Sequence, residues 1–308
     1  MHWKLRLFLY FLHRAESSIP ESIQDYRNTL NSNWKKYRRI LDGKLVAVDQ
    51  TKDITILNRD SVPLRVREYK MNRPSSQIIF YLHGGGWVGR SIDTYDNVCR
   101  RMCKNTNSTV YSIGYRLSPE TKFPGAINDS IDTIEYIFTK YIKTNTDQKQ
   151  VVLCGDSAGG NMAIGVLKYF EKNPTITFDK LIVKYPPMKA DLDQLSVKKF
   201  GRGYIIEKQD IEWMRDQYLP SAIDREDPLV SPLNYKDYSF LPPSSLVITS
   251  GYDPLQDQGI IFKNNLKKHK IQYRHIHYED LPHGFYLLNG LSPEISKAYR
   301  DLYNFIQE

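Results

Sequence analysis

Ser157 stands in Gly155-Asp156-Ser157-Ala158-Gly159-Gly160, directly after the apolar run Val151-Val152-Leu153-Cys154. A strand that turns sharply into a helix would carry this serine at its apex, on backbone with positive φ. Glycines two before and two after the serine remove the Cβ atoms that would strike the adjoining strand or helix. The turn would push the hydroxyl onto a helix N-terminus, where free N–H groups and the helix dipole favour negative charge. A nucleophile could be made there. The same residues also describe a glycine-rich strand-to-helix turn capped by a serine, so the neighbouring motifs must decide.

His83-Gly84-Gly85-Gly86-Trp87 follows the apolar run 78–82. Three consecutive glycines let backbone N–H groups turn inward, as acyl transfer needs: its tetrahedral intermediate carries an oxyanion that preorganised donors stabilise. The alternative for a glycine run is a flexible turn or a phosphate nest, but no phosphate-binding glycine pattern accompanies it. A serine also needs a base. Of seven histidines, His283 in Leu281-Pro282-His283-Gly284-Phe285 follows a strand-like segment and so falls at a strand end. His275 and His277 alternate within that segment and read as facing solvent or sheet neighbours. Asp253, in Gly251-Tyr252-Asp253-Pro254-Leu255, would orient the base. Asp257 ranks behind it because it lies one turn into the following helix. The chain order Ser157, Asp253, His283 is that of an α/β-hydrolase triad.

These residues need elements to hold them. Short apolar runs at 78–82, 109–113, 151–154, 181–185 and 246–249 alternate with helical stretches at 95–106, 126–141 and 158–171. Earlier strand-like pieces fall at 45–48, 54–58 and 64–69, an alternating strand at 273–278, and a closing helix at 293–306. The pattern predicts an α/β fold with a mainly parallel eight-stranded sheet and helices on both faces. Residues 185–246 hold no obvious core strand, although Gln209 to Tyr218 reads as helical. The whole chain is expected to be one domain. A helical cap is expected from about 1–42, with a helix from Pro20, and from an insertion at about 190–220, above the strand ends where such folds bind ligands. Trp87, Trp213 and Tyr218 could line a substrate pocket, although aromatic residues at helical spacing are more often core.

The two glycine motifs, together with Tyr115-Arg116-Leu117-Ser118-Pro119-Glu120, Phe123-Pro124, Ser231-Pro232-Leu233, Leu241-Pro242-Pro243 and Asp253-Pro254-Leu255, resemble the hormone-sensitive lipase family of carboxylesterases. The resemblance spans about Ser76 to Phe285. It implies an α/β-hydrolase core, a helical cap and no cofactor. It also implies an oxyanion hole built on Gly84, Gly85, Gly86 and Ala158, in which Gly85, Gly86 and Ala158 donate and Gly84 shapes the turn. His83 would stabilise that loop. Asp156 matches one branch of the family, and Ser118 stands where alanine is usual, a harmless departure. The implied activity is hydrolysis of carboxylic esters, and a compact lid suggests short to medium acyl chains. The alternatives are a deacetylase or amidase with the same triad, and a non-catalytic ligand-binding protein on the same fold. Family members are often dimers, which allows a homodimer here.

Length and composition fit this reading. A chain of 308 residues with 41% hydrophobic and 25% charged residues can bury a sizeable core. The net charge of +8 is spread in short clusters rather than gathered into a footprint, so no nucleic-acid partner is expected. Three cysteines make neither a disulfide framework nor a zinc site, which suits a reduced cytoplasmic protein with no metal. The apolar, basic stretch at 3–12 is too short to span a bilayer and lacks a cleavage site. It is expected to pack on the body as an amphipathic helix, with membrane contact the disfavoured alternative.

Overall fold

The computed structural model describes residues 1–14, 22–75, 77–142, 149–221, 223 and 225–308. Eight strands form one sheet: β1 (Gln50–Leu57), β2 (Pro63–Lys70), β3 (Gln77–Leu82), β4 (Thr109–Gly114), β5 (Gln150–Asp156), β6 (Lys180–Lys184), β7 (Ser244–Tyr252) and β8 (Tyr273–Pro282). Their order is β1-β2-β4-β3-β5-β6-β7-β8. β2 runs antiparallel to both β1 and β4, and every other pairing is parallel. All residues of β3 and β6 are buried, as strands covered on both faces must be.

The period-two alternation of a strand divides the core into two layers. Ile78, Phe80 and Leu82 pack with helices α4 (Gly125–Ile137), α5 (Ala158–Lys172) and α8 (Gln256–Lys268). Ile79 and Tyr81 face the other way, into a cluster with α3 (Asp96–Thr106) and α9 (Pro293–Gln307). Each fully buried leucine or phenylalanine in these layers contributes about 1.5–3 kcal/mol relative to exposure.

Three local expectations differ from what is observed. Residues 45–48 form no strand, because α3 supplies the partners instead: the Val46 N–H donates to Asn97 Oδ1 at 2.8 Å, and Arg100 donates to the Val46 carbonyl. The helix expected over 126–141 ends at Ile137 and relaxes into a π-turn, Phe138–Ile142. β8 runs four residues past the expected end at Tyr278, to Pro282, so His283 follows it without an intervening loop.

Helix α1 (Trp3–Arg14) packs on the body through Leu5 and Leu9, while Trp3, Leu7 and Phe11 stay exposed. Helix α2 (Ile23–Leu41) starts at Ser22, whose Oγ accepts the Asp25 N–H at 3.1 Å. The expected helix start at Pro20, and Ser76 at the edge of the family resemblance, lie outside the described residues. Between β6 and β7 the described residues contain α6 (Leu195–Phe200) and α7 (Lys208–Tyr218) but no strand. No helix among the described residues is long and apolar enough to cross a membrane.

Candidate active site

Ser157 links the end of β5 to the start of α5 with φ 51° and ψ −124°, a conformation costing roughly 1–3 kcal/mol for a residue with a side chain. The surroundings enforce it. A Cβ on Gly155 would overlap the Gly159 carbonyl, and one on Gly159 would overlap the Leu82 carbonyl at the end of β3. The Ser157 N–H donates to the Lys184 carbonyl on β6 at 2.8 Å. The turn is thus pinned between both neighbouring strands.

His283 Nε2 lies 3.0 Å from Ser157 Oγ, and its Nδ1 lies 2.9 Å from Asp253 Oδ2. Asp253 is fully buried and also accepts from the Leu255 N–H at 2.8 Å and the Ser250 hydroxyl at 3.0 Å. Three strand ends therefore deliver the three groups: β5 for Ser157, β7 for Asp253 and β8 for His283. An irregularity in the β7–β8 register between Ser250 and Tyr252 precedes Asp253, and Gly284 takes φ 70° so that the chain can leave His283. Asp257 points elsewhere: its carboxylate accepts the Ser196 N–H at 2.8 Å and anchors α6. His275 and His277 share the Thr249 hydroxyl, each at 2.8 Å, within the sheet.

The loop after β3 abuts this turn. His83 is buried, stacks on Tyr115 at 4.3 Å and contacts the Gly84 carbonyl through Nδ1 at 2.8 Å. Burial lowers its pKa to about 4, so at neutral pH it is an uncharged brace. Gly84, counted with the oxyanion-hole residues, has its N–H engaged by Asp156 Oδ1 at 3.2 Å and is no oxyanion donor. Gly85 and Gly86 sit at φ 131° and 61°, conformations that suit glycine. Among the described residues, neither of their N–H groups has an acceptor. Ala158 opens α5, where the first N–H groups lack intrahelical partners.

Beneath the turn lies a buried polar chain that motif reading missed. Asp156 accepts from the Tyr81 hydroxyl at 2.7 Å, the Tyr95 hydroxyl at 2.8 Å and Gly84. Lys184, with no exposed surface, donates to Tyr81 at 2.8 Å, and its Nζ lies 4.6 Å from the Tyr81 and Tyr286 rings. The signal in the sequence was a lysine inside the apolar strand Leu181-Ile182-Val183-Lys184.

The candidate pocket aromatics are brought together unequally. Trp87 and Tyr218 stack at 4.4 Å and are both buried; among the described residues, the Trp87 indole N–H and Tyr218 hydroxyl have no hydrogen-bond partner. Trp213 instead packs edge-on against Tyr26 of α2 at 5.1 Å. Met214, one helical turn before Tyr218, also lies against the loop: a Cβ on Gly86 would overlap its sulfur. Arg27 of α2 donates to the Val88 and Ser118 carbonyls at 2.7 Å each and pairs with Glu120 at 2.8 Å. The Ser118 hydroxyl donates to the Thr121 carbonyl at 2.8 Å and closes a turn. The described residues contain no group of three or more metal-ligating side chains.

The pattern that defines the alpha/beta hydrolase fold family matches residues 79–287. The chain is 28% identical over 264 residues to an ethyl acetate hydrolase of Pseudomonas putida, spanning 84% of this chain and 83% of that protein. It is 33% identical over 254 residues to the carboxylic ester hydrolase LipN of Mycobacterium tuberculosis, spanning 80% and 66% respectively. Among solved structures, an esterase of Pyrobaculum calidifontis superposes with a TM-score of 0.89 at 28% identity, over 98% of this chain and 97% of that one.

Two stability predictions follow from the packing around the loop. Tyr81→Phe removes the hydroxyl between Lys184 and Asp156, and urea denaturation should show a loss of roughly 2–3 kcal/mol. His83 binds its proton more weakly when folded than when unfolded, so its contribution is complete above about pH 6.5 and falls as pH drops towards 4. The His83→Asn variant should lose about 2 kcal/mol less stability than the parent between pH 7 and pH 5. Equal losses in the two proteins would show that His83 is not held neutral.

Proposed function

The chain belongs to the α/β-hydrolase family, and we propose that within it the protein works as a serine carboxylesterase with Ser157 as nucleophile, His283 as general base and Asp253 as orienting carboxylate. The continuous chain Ser157 Oγ, His283 Nε2, His283 Nδ1, Asp253 Oδ2, with links of 3.0 and 2.9 Å, carries this reading. His283 Nε2 takes the hydroxyl proton as Oγ bonds to the acyl carbon, and the carbonyl electron pair moves onto oxygen. Gly85, Gly86 and Ala158 donate to that oxyanion, each donor contributing roughly 10²- to 10³-fold. Collapse breaks the ester C–O bond, and the leaving alkoxide takes the proton back from Nε2. Water then repeats the sequence on the acyl-enzyme and releases the acid. Asp253 accepts from Nδ1–H, fixing the tautomer and stabilising the imidazolium.

For substrate size, the cap supports short to medium acyl chains. Met214 sits against Gly86, and the Trp87–Tyr218 stack fills the adjacent space. The unpartnered donors on Trp87 and Tyr218 would suit an ester with a polar group near the reacting bond. For compartment we propose the cytoplasm, supported by three buried free thiols, with burial raising Cys154 to about 11 and Cys103 to about 12.

Ser157→Ala and His283→Ala should each lower hydrolysis of a short-chain aryl ester by roughly 10⁴-fold or more, with circular dichroism unchanged. Near-normal turnover in either variant would rule the mechanism out. Across an acyl-length series, activity should peak between acetate and hexanoate esters, and a long-chain maximum would overturn the size assignment. A panel of esters, acetylated sugars and aryl amides separates esterase from deacetylase and amidase. Covalent labelling by a fluorophosphonate separates an enzyme from a ligand-binding protein.

A further inference from the structure

Helix α1 is apolar on two opposite faces. At 100° per residue, Leu5 and Leu9 share one face, and they are the side chains that bury against the body. Trp3, Leu7 and Phe11 lie on the other face at i, i+4 and i+8, exposed by 63%, 46% and 61%. Lys4 and Arg6 emerge on either side of this outer stripe, both exposed, with the Lys4 ammonium 5.8 Å from the Trp3 ring centroid. The helix contains no acidic residue. One face therefore satisfies the fold, and a second apolar face remains in water.

We propose that this outer face of α1 docks the protein on an anionic lipid bilayer. Twelve helical residues span about 18 Å, too short to cross the hydrocarbon core, so the helix lies in the interface plane. Tryptophan is a favoured side chain at that depth. Flanking lysine and arginine reach anionic headgroups and favour them electrostatically. The charge pattern selects the bilayer over a second copy of the chain. Two-fold pairing of the stripe would bring Lys4 and Arg6 of one copy against those of the other without a compensating carboxylate on the helix. The placement also has a direction: His13 of α1 lies 3.6 Å from Glu207, the residue that caps α7. α7 carries Met214, the side chain against Gly86, so a docked α1 would hold the cap next to the membrane surface.

The test uses the full chain with a C-terminal tag, sedimented with vesicles of phosphatidylcholine alone and of phosphatidylcholine with phosphatidylserine. The parent should sediment with the phosphatidylserine vesicles and be released by high salt. The Trp3→Ser, Phe11→Ser double variant should bind at least about tenfold more weakly. Its kcat/KM on a soluble aryl ester should be unchanged, showing an intact fold. Lys4→Gln with Arg6→Gln should remove the preference for phosphatidylserine. The proposal is overturned if the parent stays in the supernatant, or if the double variant binds as well as the parent. It is equally overturned if the parent is a dimer that the double variant splits and neither protein binds vesicles.

Discussion

The carboxylate of Asp156 holds together the two backbone segments on which the proposed acyl transfer depends. It lies at the end of β5, one residue before Ser157, and it receives the Gly84 N–H from the loop after β3. The hydroxyls of Tyr81 and Tyr95 complete its coordination, and Lys184 backs Tyr81 from β6. Burying a carboxylate is costly unless hydrogen bonds replace its water. Here three donors replace it: Tyr81 and Gly84 from β3 and the loop that follows it, and Tyr95 from just before α3. The turn that carries Ser157 and the loop that carries Gly85 and Gly86 are consequently tied to each other through one buried carboxylate.

The parallel sheet does the remaining positioning. Ser157, Asp253, His283 and the glycine loop all follow parallel strands, so they collect along one edge despite lying up to 200 residues apart in sequence. Two features adjust the last ångström: the β7–β8 irregularity before Asp253 and the left-handed Gly284 after His283. Catalytic constellations need that precision, because small misplacements of reacting groups cost large factors in rate.

Much of this was legible in the residues, because the chemistry and the backbone constraint coincide there. Gly155 and Gly159 announce the close approach on either side of Ser157, and the alternating apolar runs announce the sheet. Residues 45–48 misled because β-like composition does not say which partner will satisfy the backbone, and Asn97 and Arg100 of α3 did so. The family resemblance set Gly84 apart as shaping the turn, and the Asp156 contact supplies the physical reason, because it engages the Gly84 N–H. Met214 was hidden because a methionine on an amphipathic helix looks like ordinary core until the helix is docked. Lys184 stood out as a polar letter directly after the apolar run Leu181-Ile182-Val183, and its meaning depended on Tyr81 and Tyr286 being across from it.

Arg27 places a structural burden on the N-terminal region. From α2 it donates to carbonyls at Val88 and Ser118 and pairs with Glu120, so it braces the exit of the oxyanion loop from outside the sheet. The family pattern begins only at residue 79, past α2, β1 and β2, and an engineer trimming the chain to that boundary would lose this brace together with two strands of the sheet. What supports the glycine loop therefore begins well before the residues that the family pattern matches.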